Sequence, residues 1–306
     1  MKKQINFPTL LGLIAVLFWS TSVAFSRSIT EKTGTLNTVF FNMMCSGLFL
    51  LLAQGLIYKK ELIYKIAKLP FTYLYKVGTF LVLYMVFFYM AVGEAGSREA
   101  VIVIGIINYL WPGLTFLFSI PILKNKAKYS LLISGIVVAF AGTTTAFLEG
   151  NRLSLFQLKS TFKGEIFPFL LALAAAVSWG IYSNMTRKHK FKEDISALPL
   201  LLFTAGMVTL ILQLVKGETP VLDLAGKEYI EFAYLFIFPT ALSYLFWDRA
   251  MKRGNKDLVV AFSYGIPLIS TLISCYYLDV SVGFGFWLAA VLVIIGAVLC
   301  RWSIKN

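Results

Sequence analysis

Residues 7–27 read FPTLLGLIAVLFWSTSVAFSR, an apolar segment whose only charged side chain is its last one. About 20 consecutive apolar residues of helix cross the ~30 Å hydrocarbon core of a bilayer. Within lipid only helices and closed barrels satisfy the backbone hydrogen-bonding groups, and this segment lacks the alternation of a barrel strand. The sequence therefore predicts a membrane-spanning helix here.

Ten stretches free of Lys, Arg, Asp, Glu and His, each 16 to 26 residues long, cover most of the chain, and nearly all charge lies in the gaps between them. They are residues 4–26, 33–58, 77–93, 100–123, 129–148, 166–186, 195–215, 232–247, 258–278 and 280–300. The sequence predicts an all-α integral membrane protein with ten transmembrane helices, numbered here as the first to tenth spans. The predicted helices are about 7–28, 36–57, 73–93, 99–123, 129–148, 165–186, 195–215, 229–250, 257–278 and 283–302.

The composition excludes an ordinary soluble domain. Hydrophobic residues make up 58% of the chain, charged residues 14%, and the mean hydropathy is +0.78. The gaps between the charge-free stretches are under 20 residues long, too short for a folded extramembrane module. The first stretch lacks an early cleavage site of small residues, so we expect it to be retained as a helix.

The net charge of +13 is distributed as a topology signal rather than as a nucleic-acid surface. With the N-terminus in the cytoplasm, 18 Lys and Arg residues fall in inner loops and 7 in outer loops, leaving out three at helix ends. Cytoplasmic loops of membrane proteins carry such an excess of positive residues. We therefore expect both termini to be cytoplasmic, with the lipid bilayer as a partner and no nucleic acid.

An internal repeat predicts the architecture. A shift of 160 positions aligns residues 7–27 with residues 167–187 at eight identities in 21 positions. A second match, at 155 positions, places Asn108–Pro112 on Ser263–Pro267. The predicted domains are a first five-helix repeat at 1–148, an outer connecting segment at 149–163 and a second five-helix repeat at 164–306. Because five spans is an odd number, the second repeat enters the membrane inverted, and the two repeats are expected to surround a central cavity.

Inverted repeats are typical of alternating-access transporters, whose substrate site lies near the midplane at short or broken helices. Here the shortest stretches are 77–93 and 232–247, and prolines occur at matched positions in the fourth and ninth spans. No charged side chain lies near the centre of any stretch. The nearest ones, all at helix ends, are Lys76, Glu94, Glu99, Glu165, Glu231, Asp248 and Arg249. Since buried charges mark ion pathways, a neutral, zwitterionic or aromatic solute is the expected substrate.

No metal or cofactor is predicted. His189 is the single histidine and lies in a basic loop, so a histidine-based metal site would lack its other ligands. Cys45, Cys275 and Cys300 all fall in apolar stretches and are expected to be free thiols packed as small hydrophobic groups.

Neutral polar and aromatic residues on common helix faces are the candidates for substrate binding. They are Trp19, Tyr84, Phe88, Asn108, Trp111, Pro112, Trp179, Tyr182, Ser183, Ser243, Ser263 and Pro267. Pro112 frees the carbonyl of Asn108 four residues earlier, and a ligand ammonium is one candidate partner. We expect Trp111 and Trp179 to meet, with an aromatic substrate held between them. The alternatives are tight packing for the tryptophans and simple helix kinks for the prolines.

The run Leu11–Thr21, the proline of the ninth span and the segment Ile294–Val298 resemble the drug/metabolite transporter superfamily, EamA-type branch. Asn108–Pro112 and Ser178–Tyr182 are similar to bacterial aromatic amino-acid exporters of that family. The resemblance covers the whole chain. It implies a basket of ten helices around a cavity lined by the first, third, fourth, sixth, eighth and ninth, in the bacterial cytoplasmic (inner) membrane. It also adds Tyr109 to the candidate substrate-binding residues.

The leading functional hypothesis is a secondary transporter that exports aromatic or hydrophobic amino acids by alternating access. Its partner is a small-molecule substrate, and a monomer is the expected oligomeric state. The second hypothesis is export of another small metabolite or a drug cation on the same fold. A membrane-embedded enzyme would need paired acids, a histidine cluster or an activated nucleophile at membrane depth, and a purely structural protein would not require matched prolines in an inverted repeat.

Overall fold

The computed structural model of the protein describes residues 6–150, 158–189 and 195–305. The helices are α1 (Phe7–Thr33), α2 (Thr35–Tyr58), α3 (Leu62–Ala67), α4 (Phe71–Tyr73), α5 (Thr79–Glu94), α6 (Arg98–Asn108), α7 (Trp111–Leu123), α8 (Tyr129–Gly150), α9 (Leu158–Lys188), α10 (Leu198–Val215), α11 (Lys227–Leu235), α12 (Ser243–Arg253), α13 (Lys256–Ser263), α14 (Ile266–Tyr277) and α15 (Phe284–Ser303). A 3-10 turn at Lys59–Glu61 precedes α3, and strands β1 (Lys126–Ala127) and β2 (Ile304–Lys305) pair antiparallel. Residues 151–157 of the predicted connecting segment lie outside the described residues.

The predicted all-helical membrane architecture is confirmed. Within the described residues, nine helical stretches are long and apolar enough to cross a bilayer, and a tenth apolar helix, Ile266–Tyr277, is shorter. The short one belongs to the ninth span, which is broken into two pieces. The chain is a multi-pass membrane protein.

The first span shows how local sequence sets helix ends. The Asn6 side chain accepts a hydrogen bond from the backbone N–H of Thr9 at 3.1 Å, an N-cap that satisfies one orphan donor. Gly34 has a φ of 82°, a left-handed conformation that ends α1 and is inexpensive only for glycine. The helix continues to Thr33, beyond the predicted residue 28, and Arg27 pairs with Glu31 at 2.9 Å in this last part, one turn apart.

The third and eighth spans each contain a π-helical turn, at Leu74–Gly78 and Phe236–Leu242. The second turn surrounds Pro239, which cannot donate a backbone hydrogen bond. Side chains accordingly bind the carbonyls there: Thr240 Oγ1 donates to Leu235 O at 2.9 Å and Ser46 Oγ donates to Phe236 O at 2.9 Å. These are the two spans with the shortest charge-free stretches, and such turns often occur at functional sites.

The fourth and ninth spans break at matched positions. Helix α6 ends at Asn108 and α7 begins at Trp111, while α13 ends at Ser263 and α14 begins at Ile266. Each break is followed by a proline at the second position of the next helix, Pro112 or Pro267. The repeat alignment had matched these same residues, so the two halves of the sequence encode the same backbone feature.

The chain divides into two compact units, each of which contains parts of both predicted repeats. Unit 1 comprises Met1–Val82 and Phe191–Ile266, and unit 2 comprises Leu83–Lys190 and Pro267–Asn306. In unit 1, α1 packs against α12 and α13, and α2 packs against α10. In unit 2, α8 packs along α15, and α9 packs against α6 and α7. The bounds of the two compact units therefore differ from the bounds of the two five-helix repeats predicted from the sequence.

Candidate functional site

Ten of the 13 candidate site residues lie in unit 2. These are Tyr84, Phe88, Asn108, Tyr109, Trp111, Pro112, Trp179, Tyr182, Ser183 and Pro267. Trp19, Ser243 and Ser263 lie in unit 1.

Trp179 of α9 is the centre of a group of four aromatic rings in unit 2, called here the Trp179 cluster. Its ring centroid lies 4.9 Å from that of Tyr84, 5.9 Å from that of Trp111 and 5.4 Å from that of Tyr182. Phe88, one turn after Tyr84 on α5, stacks on Tyr84 with centroids 5.9 Å apart. Rings from the third, fourth and sixth spans thus come together, and the contact of Trp111 with Trp179 is the one that the sequence predicted.

The contact between Trp111 and Trp179 alters one expectation. The two rings meet edge to face, with an interplanar angle of 72°. A substrate ring therefore does not fit between them in this conformation, because each indole already occupies the contact surface of the other. An aromatic ligand would have to pack beside the pair or displace one of the rings.

Small and polar residues of α9 fix the position of Trp179. A Cβ added at Gly180 would lie 3.2 Å from backbone atoms of Leu114 and Thr115, so glycine allows α7 to approach closely. One turn later, Asn184 Nδ2 donates to Thr115 O and to Gly180 O, each at 2.8 Å. Sequence reasoning missed Asn184, although an amide within a charge-free stretch is itself a signal.

Tyr109 and Asn108 lie at the break of the fourth span. The Tyr109 side chain is 7% exposed and approaches Ser270 of α14, which was not among the candidates. Asn108 is 4% exposed, and its Oδ1 atom has no hydrogen-bond partner among the described residues. The break thus places two buried polar groups immediately before Trp111.

Unit 1 contains an equivalent of the contact between Trp179 and Tyr84. The Trp19 ring lies 5.1 Å from Tyr244 and 5.1 Å from Trp247. Tyr244 stands 160 positions after Tyr84, the same offset that aligns Trp19 with Trp179. Trp19 therefore contacts Tyr244 in unit 1, as the corresponding Trp179 contacts the corresponding Tyr84 in unit 2. Sequence analysis missed Tyr244, yet the repeat offset applied to Tyr84 would have found it.

The candidate serines bind carbonyls of their own helices. Ser183 Oγ donates to Trp179 O at 2.8 Å, and Ser263 Oγ donates to Val260 O at 2.7 Å. Ser243 Oγ donates to Phe238 O at 2.8 Å, across the π-helical turn. That these hydroxyls contact a substrate stays a prediction.

The buried polar side chains are electrically neutral. In the described ranges the fully buried polar residues are all Thr, Ser, Asn or Gln. The same ranges contain no group of three or more His, Cys, Asp or Glu residues placed to hold a metal ion. Such surroundings favour aromatic and hydrogen-bonding contacts over ionic ones with a ligand.

Apolar helices of membrane length, with two spans broken at matched positions, are typical of polytopic membrane transporters. The sequence profile of the EamA-like transporter family matches residues 6–148 and 166–302. The chain belongs to this family. Its members are transporters, so the hypothesis of a membrane-embedded enzyme is rejected.

Proteins of known name support the same assignment. The chain is similar to the aromatic amino acid exporter YddG of Salmonella typhimurium (strain 14028s / SGSC 2262), 28% identical over 95% of this chain and 96% of the relative. It is similar to the YddG of Ancylobacter novellus, 30% identical over 87% and 86% of the two chains. A solved crystal structure, 24% identical and with a TM-score of 0.66, covers 96% of this chain and 97% of its own and shares the fold.

Proposed function

We propose that the protein exports aromatic amino acids across the bacterial cytoplasmic membrane. The observation that carries this proposal is the Trp179 cluster, in which Tyr84, Trp111 and Tyr182 surround one indole beside a broken helix. Aromatic rings interact favourably with one another beyond the effect of burial. The names of the similar exporters point to the same substrate class.

Alternating access is the proposed mechanism. The Trp19–Tyr244 and Trp179–Tyr84 contacts use corresponding residues of the predicted repeats, one contact in each unit. The matched breaks at Asn108 and Ser263 are a second correspondence. Inverted repeats allow the two halves to exchange conformations, which opens the substrate site to alternate sides of the membrane.

Both termini are proposed to face the cytoplasm. The 18 to 7 bias of positive residues supports this orientation. In unit 2, Lys126–Ala127 pairs with Ile304–Lys305, so the loop after the fourth span lies at the same end as the end of the tenth. This agrees with the topology that places both segments in the cytoplasm.

The proposed substrate class is tested by counterflow in proteoliposomes that contain the purified full chain. Vesicles preloaded with phenylalanine, tyrosine or tryptophan should accumulate labelled phenylalanine, whereas vesicles preloaded with alanine, glutamate or lysine should not. Protein-free vesicles are the control. Counterflow with a lipophilic aromatic cation but with none of the aromatic amino acids would contradict the proposal and favour the second hypothesis, since cations also bind aromatic faces.

Transport should not depend on any single acidic residue near the helix ends. The reason is that Glu94 is exposed and that Glu99 and Asp248 are partly exposed, away from the fully buried neutral core. Changing Glu94 or Glu99 to Gln, or Asp248 to Asn, should leave the counterflow rate within about twofold of the parent, the scale of a surface substitution. Glu165→Gln should behave in the same way. Loss of transport in one correctly inserted variant would identify a functional acid.

A further inference from the structure

The break in the fourth span leaves helix-terminal groups without their helical partners beside the Trp179 cluster. After α6 ends at Asn108, the N–H of Tyr109 bonds to Gly105 O at 3.1 Å and the N–H of Leu110 bonds to Ile107 O at 3.0 Å. Position 112 is a proline, so the carbonyl of Asn108 lacks the donor that a continuous helix would supply. The α-helical hydrogen-bond ladder is therefore interrupted immediately before Trp111.

The side chain of Asn108 adds a second acceptor to this break. Asn108 is 4% exposed, and no described group donates to its Oδ1 atom. Buried side-chain polar atoms nearly always have a partner, and an exception calls for an explanation such as a ligand that binds there. Asn184 Oδ1 also lacks a partner among the described residues, but the amide nitrogen of Asn184 ties α9 to α7, which gives that residue a structural role.

The polarity of the break fits a zwitterion. The carbonyl end of a helix carries a partial negative charge, and the N-terminal end carries a partial positive one. The end of α6 and the start of α7 bring these two ends together within three residues. An ammonium group is thus favoured beside Asn108, and a carboxylate is favoured near the start of α7.

We propose that Asn108 Oδ1 accepts a hydrogen bond from the α-ammonium group of the substrate, and that this contact selects aromatic amino acids over aromatic acids. The inference rests on the proposed function and adds a residue that determines specificity. The aromatic ring of the substrate then packs beside Trp111, three residues further along the chain. Since protein atoms enclose Oδ1 here, the contact forms in the substrate-loaded conformation.

The test compares two ligands that share a phenyl group. Phenylalanine has both ionic groups, and 3-phenylpropionate lacks the ammonium. Binding to the purified full chain is measured by thermal stabilisation against ligand concentration. The parent should bind 3-phenylpropionate about 10- to 100-fold more weakly than phenylalanine, the range for a hydrogen bond to a charged group. In Asn108→Leu, the affinity for phenylalanine should fall by that factor, while the affinity for 3-phenylpropionate should change by less than about threefold.

Two further variants keep the test decisive. Asn108→Ala removes the same acceptor with less bulk and should also abolish the preference for the ammonium group, which covers the case in which the leucine variant does not fold. Asn184→Leu, the matched amide of the same unit, should retain the preference even if it lowers thermal stability. If either Asn108 variant is folded and keeps the parent's ratio of affinities, the inference is overturned while the proposed function stands. If the parent binds no aromatic amino acid, both are overturned.

Discussion

Replacing Gly296 by valine is expected to destabilise the folded protein strongly. A Cβ added at Gly296 would lie 2.5 Å from Gly135 O and 2.6 Å from Ala139 N, where α15 packs along α8. These are backbone atoms, which cannot rotate away, so the two helices would have to separate. Overpacking typically costs about 1–3 kcal/mol and occasionally more, and rigid neighbours place this site at or above the upper end, about 3 kcal/mol. The yield of monodisperse protein in detergent and its apparent melting temperature measure the effect.

Gly55→Ala is the matched control for Gly296→Val. A Cβ added at Gly55 would meet only the end of the Leu62 side chain, at 3.7 Å, which is ordinary contact. Alanine is also the better helix former, by about 0.5–1 kcal/mol, so the control should melt at or above the parent temperature. A Gly296→Val protein that melts with the parent would show that α8 and α15 do not pack as closely as described.

Replacing Trp179 by leucine is expected to produce the largest loss of transport among the aromatic substitutions. Trp179 is 4% exposed and contacts three rings, so its removal eliminates the shared surface of the cluster. Aromatic pairs contribute roughly 0.5–1.5 kcal/mol each beyond burial. For one lost contact with substrate the affinity should fall by about 2- to 13-fold, and the disordering of Tyr84 and Trp111 should enlarge the loss to more than about 10-fold. The concentration dependence of phenylalanine counterflow measures it.

Trp302→Leu is the control for this experiment. Trp302 lies at the end of α15, is 69% exposed and should tolerate leucine with an unchanged affinity for phenylalanine. Trp111→Leu removes one ring contact of the cluster. Its affinity for phenylalanine should lie between that of the control and that of Trp179→Leu. If Trp179→Leu inserts normally and transports phenylalanine with the parent's affinity, the cluster serves packing, and the aromatic-substrate proposal loses its main support.

The sequence by itself determined the class of protein and the matched prolines of the fourth and ninth spans. Charge-free stretches of membrane length leave only helices in lipid, because no water is available to satisfy the backbone. The self-alignment matched Asn108–Pro112 with Ser263–Pro267, and the fourth and ninth spans, predicted as continuous helices, break at these residues. A proline removes a donor wherever it stands, so this information is local and can be read from the chain alone.

Helix faces grouped the aromatic residues within each span, and the sequence predicted that Trp111 and Trp179 meet, but not how they meet. The i, i+3/4 spacing placed Trp179 and Tyr182 on one face and Tyr84 and Phe88 on another. The spacing does not determine ring orientation, so the edge-to-face contact of Trp111 with Trp179 was not foreseen. That contact depends on how closely α7 approaches α9 at Gly180, which is a property of packing between helices.

Only the tertiary structure decided how the spans are grouped and which polar atoms are already engaged. Each contact unit combines helices from both predicted repeats. The hydroxyls of Ser183, Ser243 and Ser263 bind carbonyls of their own helices, whereas Asn108 Oδ1 is left without a donor among the described residues. Sequence fixes which groups can form hydrogen bonds, but whether a partner lies within about 3 Å depends on the fold of the whole chain.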